Sequence, residues 1–567
     1  MAAVPRRGTP ERLSAPPSPV PPEPDRAGSA PAGSGPAAIR RRVLASVAGV
    51  LAVALLFVAY LQVSRTYPEN SDEANILLMA WDMLHGNVLL HGWYLSDVSF
   101  YTTELPQYAL LERLIGLHTD TAHVAAAMTY TLVVVFAALL ARGTVPGPQA
   151  WPRVLLTTGI MFAPQLGVAV FVLLLSVGHI GTAVPLMATW IVLDRCKPRW
   201  PVPVVVGLLL TWVLIADPLV LVVGIIPLAA VCAVRVIRGM TAARRQAGRS
   251  AGWQLDDLTA QWFEVSLIAA AVLAEGLASV ISRLLRAGGG FILHPVGYQL
   301  APLHTWPKHA WVTAEGLLAL FGAKPQGPPV ELAFAVVHLA GVALVIWAVL
   351  RVARHFFSCP DMISQILLAA MVLNVVVYVP STLADATDLN AREFAVVLPF
   401  GAVLAGRTLA ASLRGRERGP RTWLAAVLLA TLAGYAASLG YAASQPSVPA
   451  ANEQLGTFLA AHHLTSGIGG YWESSVVTVG SDGAVTIRAV LPGMLQPDLW
   501  ESKDSWYDPG SNRATFLVTD GASGFFNYWQ PDPAALAAFG PPARTYHVGP
   551  YTVFVWEKNL LVQVGHR

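Results

Sequence analysis

Long apolar runs separated by short polar intervals set the rhythm of this chain. A bilayer core about 30 Å thick takes roughly 20 apolar residues per helix. Runs of that kind fall at 43–64, 122–141, 153–174, 178–194, 201–216, 218–237, 264–285, 332–352, 364–380, 393–412 and 423–442. They predict an α-helical polytopic membrane protein of roughly eleven transmembrane helices. Pro164, Pro185 and Pro218 fall within or at the start of these runs. Each lacks a backbone donor and is expected to kink or break its helix.

Three polar intervals are long. The first, 65–121, carries Ala74, Leu77, Leu78, Trp81 and Leu84 at helical spacing, the pattern of a helix lying along the membrane interface. The second, 286–331, contains Gly288–Gly290, Trp306 and Trp311. The third is the tail, 443–567, which reads as a helix near 452–463 followed by strands near 474–480, 484–491, 514–519 and 551–556, a small α/β domain. Residues 1–42, rich in Pro, Ala, Ser and Arg, bury too little apolar surface to order themselves and read as a disordered tail. The membrane core then spans 43–442, with no internal repeat.

Charge orients these segments. Arginines cluster at 40–42, at 195–199 with Lys197, at 235–249, at 351–354 and at 414–421, always between alternate runs. Positive residues favour the cytoplasmic side. One assignment places every cluster there, with the N-terminus cytoplasmic and the C-terminal domain extracytoplasmic. The chain is 54% hydrophobic and only 13% charged, with a mean hydropathy of +0.53. Soluble domains carry about 25% charged residues, so a large soluble core is excluded. A net charge of +3 dispersed in short clusters does not point to a nucleic-acid partner. Cys196, Cys232 and Cys359 fall in or beside cytoplasmic segments and have no zinc-ligand spacing. Abundant Ala, Arg, Gly and Pro with little Lys fits a high-GC bacterium, hence a bacterial plasma membrane.

Ionisable groups near a membrane face are costly unless paired or solvated, which makes them candidates for function. This topology gathers several on the outer side: Asp72 and Glu73 after the first span, His179 in a tight turn, Asp217 between two spans, and Asp385, Asp388, Arg392 and Glu393 before another. Each has a plainer reading. Asn70 or Ser71 can cap a helix whose first turn favours Asp72 and Glu73. His179 fits an interfacial turn, Asp217-Pro218 a turn initiator, Arg392 an interfacial anchor and Glu104 a solvated loop charge.

Ser71-Asp72-Glu73-Ala74, Met83-Leu84-His85-Gly86-Asn87 and Thr103-Glu104-Leu105-Pro106, all in the loop after the first span, resemble the start of the GT-C glycosyltransferases. That superfamily includes protein O-mannosyltransferases and aminoarabinose lipid A transferases. Arg392-Glu393-Phe394 with Leu398-Pro399 is similar to a late outer helix start of the same proteins. The resemblance implies a GT-C-like core that moves a sugar from a polyprenyl-phosphate donor to a cell-envelope glycan or protein acceptor. It implies Asp72 as base with Glu73 as partner, Arg392 and His179 on the donor phosphate, and Asp217, Asp388 and Glu104 in support. Asp217 is also a candidate ligand for a divalent metal ion, the one cofactor the reading leaves open. Trp93, Tyr94 and Tyr101 are candidates to stack on sugar or acceptor, against the commoner role of interfacial anchors. A secondary transporter and a non-catalytic lipid-binding scaffold are the alternatives. A transporter predicts repeats and midplane charges that this sequence lacks.

Overall fold

The computed structural model describes residues 36–175, 178–247, 258–295, 298–384, 388–413, 421–450, 452–491, 494–520 and 533–565. The chain divides into two units, residues 1–52 and 53–567. The disorder expected over 1–42 falls, for 1–35, outside the described residues. The first helix, Pro36–Ser64, begins before the arginines at 40–42 rather than after them.

The protein is mostly helical and, by the length and apolarity of its helices, a multi-pass membrane protein. Among the described residues five helices suffice to cross a bilayer: Val43–Ser64, Asp120–Arg142, Leu221–Arg245, Trp262–Ala287 and Pro329–Arg354. Pro201–Ala216, Met362–Tyr378 and Leu428–Ala443 are shorter apolar helices. Three expected spans change character, two of them at a proline, while Pro185 is accommodated in the first turn of its helix. The run 153–174 splits into Trp151–Ile160 and Val168–Leu174, separated by Pro164 and by Gly167 at a φ of 86°. The run 178–194 is helical only from Ala183, so Gly178–Thr182 stays a turn. The run 218–237 opens after Pro218 with a π-helical turn, Leu221–Ile225, before the helix Ile226–Ala247.

The helix Ser71–Leu84 starts at a complete capping box. Asn70 Oδ1 accepts from the Asp72 N–H at 2.8 Å, and Glu73 Oε2 accepts from the Asn70 N–H at 2.8 Å. Its apolar residues predict one buried stripe, yet every residue from Glu73 to Ala80 is buried. The helices Glu104–Ile115 and Ser475–Gly480 pack against it. It is therefore an internal element shared with the tail rather than an interfacial one.

The tail is β-rich. Strands β3 (Ser466–Gly469), β4 (Thr486–Leu491), β5 (Gln496–Pro497), β7 (Phe516–Asp520), β8 (Arg544–Val548) and β9 (Tyr551–Val555) form one sheet in the order β5-β4-β3-β7-β9-β8. β3 runs parallel to β4 and β7. A second, small sheet stitches the chain together. β1 (Trp93–Leu95) pairs in parallel with β2 (Ile292–Leu293) and antiparallel with β6 (Ser502–Lys503). Lys503 Nζ reaches Asp82 Oδ2 at 2.9 Å alongside it. A continuous apolar core, including Leu77, Trp93, Leu105, Val476, Ile487 and Phe516, runs from the loop helices into the large sheet. Each such buried side chain contributes about 1.5–3 kcal/mol.

One expected strand is a helix. Residues 474–480 read as a strand through Val476, Val477 and Val479, but Ser475–Gly480 is helical and buries those valines. β-branched residues report a half-buried environment more than a backbone preference, and here a helix supplies that environment.

Candidate active site

Two chain features converge on one cavity. The parallel strands β3 and β4 align Gly469 with Ala489, and the chain leaving this level turns towards the helical core. The turn Tyr471–Glu473 follows β3 directly. After β5 the chain returns to the same level, where the Asp498 N–H bonds the Ala489 carbonyl at 3.1 Å, and goes on through Trp500 to Glu501. The carboxyl ends of parallel strands are where α/β sheets place ligands. Opposite them stand the start of helix Ser71–Leu84, the loop 96–100, the turn at His179 and the 3-10 helix Asp388–Phe394. The cavity between them is about 340 Å³, the size of a small-molecule site.

A chain of charged contacts crosses this cavity. His179 sits between two carboxylates, with Nδ1 at 2.8 Å from Asp217 Oδ2 and Nε2 at 3.1 Å from Glu393 Oε2. Asp217 caps the helix Pro201–Ala216 and accepts further hydrogen bonds from the Thr182 hydroxyl at 2.5 Å and the Leu219 N–H at 2.8 Å. Burial works against charge on all three side chains. The mutual pairing outweighs it, holding His179 well above the usual histidine range and Asp217 and Glu393 below the carboxylate range. His179 is thus an imidazolium that donates from both ring nitrogens.

Arg392 continues the chain. Its Nε is 3.8 Å from Glu393 Oε1 and its terminal nitrogen 3.6 Å from Asp72 Oδ2. These are ion-pair distances, longer than a hydrogen bond, and the side chain is 38% exposed on the cavity. The other Asp72 oxygen, Oδ1, accepts from the Tyr471 hydroxyl at 2.7 Å. That hydroxyl also lies 3.0 Å from Glu501 Oε2 and accepts from Asn75 Nδ2 at 3.1 Å. Burial, with Asp72 as neighbour, pushes Glu501 up to about 8. Burial likewise raises Asp97 and Asp498, which share the cavity wall.

The structure brings Asp72, His179, Asp217 and Arg392 into one network. Glu73 stays out of the cavity lining. It is fully buried; one carboxyl oxygen accepts from the Asn70 N–H at the helix cap, the other has no hydrogen-bond partner, and burial raises the group well above the usual glutamate range. Glu104 is not a solvated loop charge. It is buried beside the Thr103 hydroxyl and pushed up to about 7, mainly by burial. Its carboxylate packs so closely on Gly181 that a side chain at 181 would collide with it. Glu104 lines a second cavity, of about 290 Å³, with Gln107 and Trp212. The aromatic residues expected to stack on a sugar lie elsewhere. Trp93 donates to Asp82 and packs edge-on against Trp506, Tyr94 faces His294, and Tyr101 bonds the Val88 carbonyl and faces Phe291. Their place on the cavity wall is taken by Phe100, Trp472 and Trp500. The Asp388 side chain and Asp385 lie outside the described residues.

Asp97, Tyr471, Asp498 and Glu501 were not legible as site residues. The run Tyr471-Trp472-Glu473 is polar and aromatic, but nothing local says that its turn reaches a helix about 400 residues earlier. Among the described residues no group of three or more His, Cys, Asp or Glu is arranged to hold a metal ion. The Asp217 oxygens are occupied by His179, Thr182 and Leu219 instead.

The sequence matches no family model and no curated protein. Among solved structures the chain is similar to two proteins. ArnT from Cupriavidus metallidurans bound to undecaprenyl phosphate aligns at a TM-score of 0.48 and 13% identity, covering 92% of this chain and 99% of that one. The Archaeoglobus fulgidus oligosaccharyltransferase aligns at 0.44 in its apo form and at 0.45 tethered to an acceptor peptide containing the NVT sequon. Both of these alignments have 12% identity and cover 83% of this chain and 69% of that one. At such scores the likeness assigns no residue a role.

Proposed function

We propose that the protein is a membrane glycosyltransferase that moves a sugar from a polyprenyl-phosphate donor to an envelope glycan or protein acceptor on the outer face of a bacterial plasma membrane. One observation carries the reading: a carboxylate, Asp72, and a guanidinium, Arg392, lie 3.6 Å apart on the wall of a single sugar-sized cavity. Glycosyl transfer needs a base at the acceptor oxygen and a positive charge at the leaving phosphate, and this cavity wall carries both. As the acceptor oxygen attacks the anomeric carbon, its proton needs a base, and Asp72 is in place. As the bond to phosphate breaks, the leaving oxygens gain negative charge, and Arg392 offers a planar cation to them. The Asp217–His179–Glu393 series fixes Arg392 from behind, because Glu393 holds both His179 and the guanidinium. Trp472 and Trp500 supply flat apolar surface for a sugar ring. The distribution of arginine clusters supports an outer-side location for this cavity.

The test uses purified full-length protein in lipid nanodiscs with tritiated undecaprenyl phosphate as probe. Arg392→Ala is expected to weaken binding about tenfold, in line with the loss of a charge-assisted contact. Unchanged binding would remove Arg392 from the phosphate site. A panel of polyprenyl-phosphate sugars with an envelope extract then tests turnover. Tight binding with no sugar release from any donor would favour a lipid-binding scaffold instead.

A further inference from the structure

We propose that Asp72, Tyr471 and Glu501 form a proton path in which Tyr471 carries the acceptor's proton away from Asp72 and Glu501 receives it. The inference rests on the glycosyl-transfer reading and deepens it, since it assigns half of the acid–base machinery to the tail.

Geometry carries the proposal. The Tyr471 hydroxyl oxygen stands within hydrogen-bond distance of three groups: Asp72 Oδ1 at 2.7 Å, Glu501 Oε2 at 3.0 Å and Asn75 Nδ2 at 3.1 Å. One hydroxyl has one proton and two lone pairs. Asn75 can only donate through that nitrogen, so it fills one lone pair. The remaining lone pair and the single proton serve the two carboxyl groups. Both carboxyls can be satisfied only if one of them is protonated. With the proton on Glu501, it donates to Tyr471, which donates to Asp72 and leaves Asp72 ionised as a base. With the proton on Asp72, every donor reverses and Glu501 is the ionised partner. The two arrangements differ by two short hops through one oxygen.

The surroundings fit a proton store. Glu501 and Tyr471 both line the cavity, and Glu501 is buried. Glu501 also has a φ of 48°, an unfavourable conformation for this residue type that persists only where the fold enforces it. The charged and titratable groups that face Glu501 are Asp72 on its helix, Tyr471 after β3 and Arg392 on the 3-10 helix. Asp97 and Asp498 share the cavity. Burial and then Asp72 raise Glu501, against the hydrogen bonds of Ser96 and Tyr471 and the charge of Arg392.

The step balances. The acceptor oxygen forms a bond to the anomeric carbon, and the bond from that carbon to the phosphate oxygen breaks, its electron pair leaving with the phosphate. The acceptor's proton goes to Asp72. Asp72 passes it to the Tyr471 oxygen as Tyr471 passes its own proton to Glu501. Asp72 returns to the carboxylate form, and Glu501 later releases the proton to water.

Two measurements on the full-length protein test this. In the first, infrared difference spectra are recorded across pH 6–9. A protonated-carboxyl band is expected to titrate near 8, to vanish in Glu501→Gln and to shift to lower pH in Asp72→Asn. A band that ignores both substitutions overturns the coupling. In the second, sugar release is followed against pH. The wild-type rate is expected to rise through about 8 as Glu501 ionises. Tyr471→Phe and Glu501→Gln are each expected to lose that rise and to lower kcat about 10- to 100-fold with KM within about twofold. A normal kcat in either variant, or a change in KM alone, overturns the path. Should one variant fail to fold, the other decides. Wild-type protein that releases no sugar from any donor sinks the glycosyl-transfer reading and the proton path as a catalytic device together, leaving only the shared proton for the spectra to judge.

Discussion

At the scale of single residues, the most telling groups are carboxyls that burial keeps from ionising. Glu112 is buried, neither of its oxygens has a hydrogen-bond partner, and burial pushes it up to about 9. Such a group favours the folded state while protonated in both states. Its contribution is complete below the ordinary glutamate value of 4.5 and is lost as pH rises through about 9. Glu112→Gln removes that dependence. Relative to wild type, its melting temperature is expected to improve by about 2 °C or more between pH 5 and pH 9, measured by thermal unfolding in one detergent. A constant difference across that range would mean that Glu112 is solvated. Residue-level reading of the sequence singled out Asp72, His179, Asp217 and Arg392 because membrane topology alone puts rare charges on one side. It missed Tyr471, Asp498 and Glu501 because only the register of β3 and β4 brings them there. Glu73 shows the opposite failure, since a neighbouring pair of acids looks catalytic while only Asp72 faces the cavity.

At the scale of elements, short-range chemistry sets where the site begins. The capping box at Asn70 fixes the first turn of helix Ser71–Leu84 and so aims Asp72 at the cavity. Asn70→Ala is expected to cost about 1 kcal/mol of stability, and Asn70→Ser or Asn70→Asp to recover most of it. Thermal or denaturant unfolding of the three variants checks this, and an alanine variant as stable as wild type would show that the cap is dispensable. This boundary was legible from Asn70, Ser71 and the acids behind them. The broken element between Ile160 and Val168 was partly legible, through Pro164. The helix Ser475–Gly480 was not, because its valines carry a strand-like signal and its helical form is decided by the neighbours it packs on. Strands β3 and β8 were also missed. Ser466–Gly469 has two glycines and Arg544–Val548 is mostly exposed, so neither shows an apolar alternation.

At the scale of the whole molecule, the tail is part of the site and not an appendage. The small sheet β2-β1-β6 ties the two large loop regions to the tail just beyond Glu501, and the Lys503–Asp82 pair reinforces it. The order of apolar runs announced a membrane core and a separate tail. Their union over one cavity depends on contacts across hundreds of residues, which no local pattern encodes. The central proposal concerns that cavity: that Asp72, held between Arg392 and Tyr471, removes the acceptor's proton during sugar transfer. The most direct measurement compares wild type and Asp72→Asn in nanodiscs, following release of free polyprenyl phosphate from a sugar-loaded donor while donor binding is measured in parallel. The expected result is a fall in kcat of about 10²- to 10⁴-fold with binding retained. Equal release by both proteins would contradict the account and return Asp72 to a capping role.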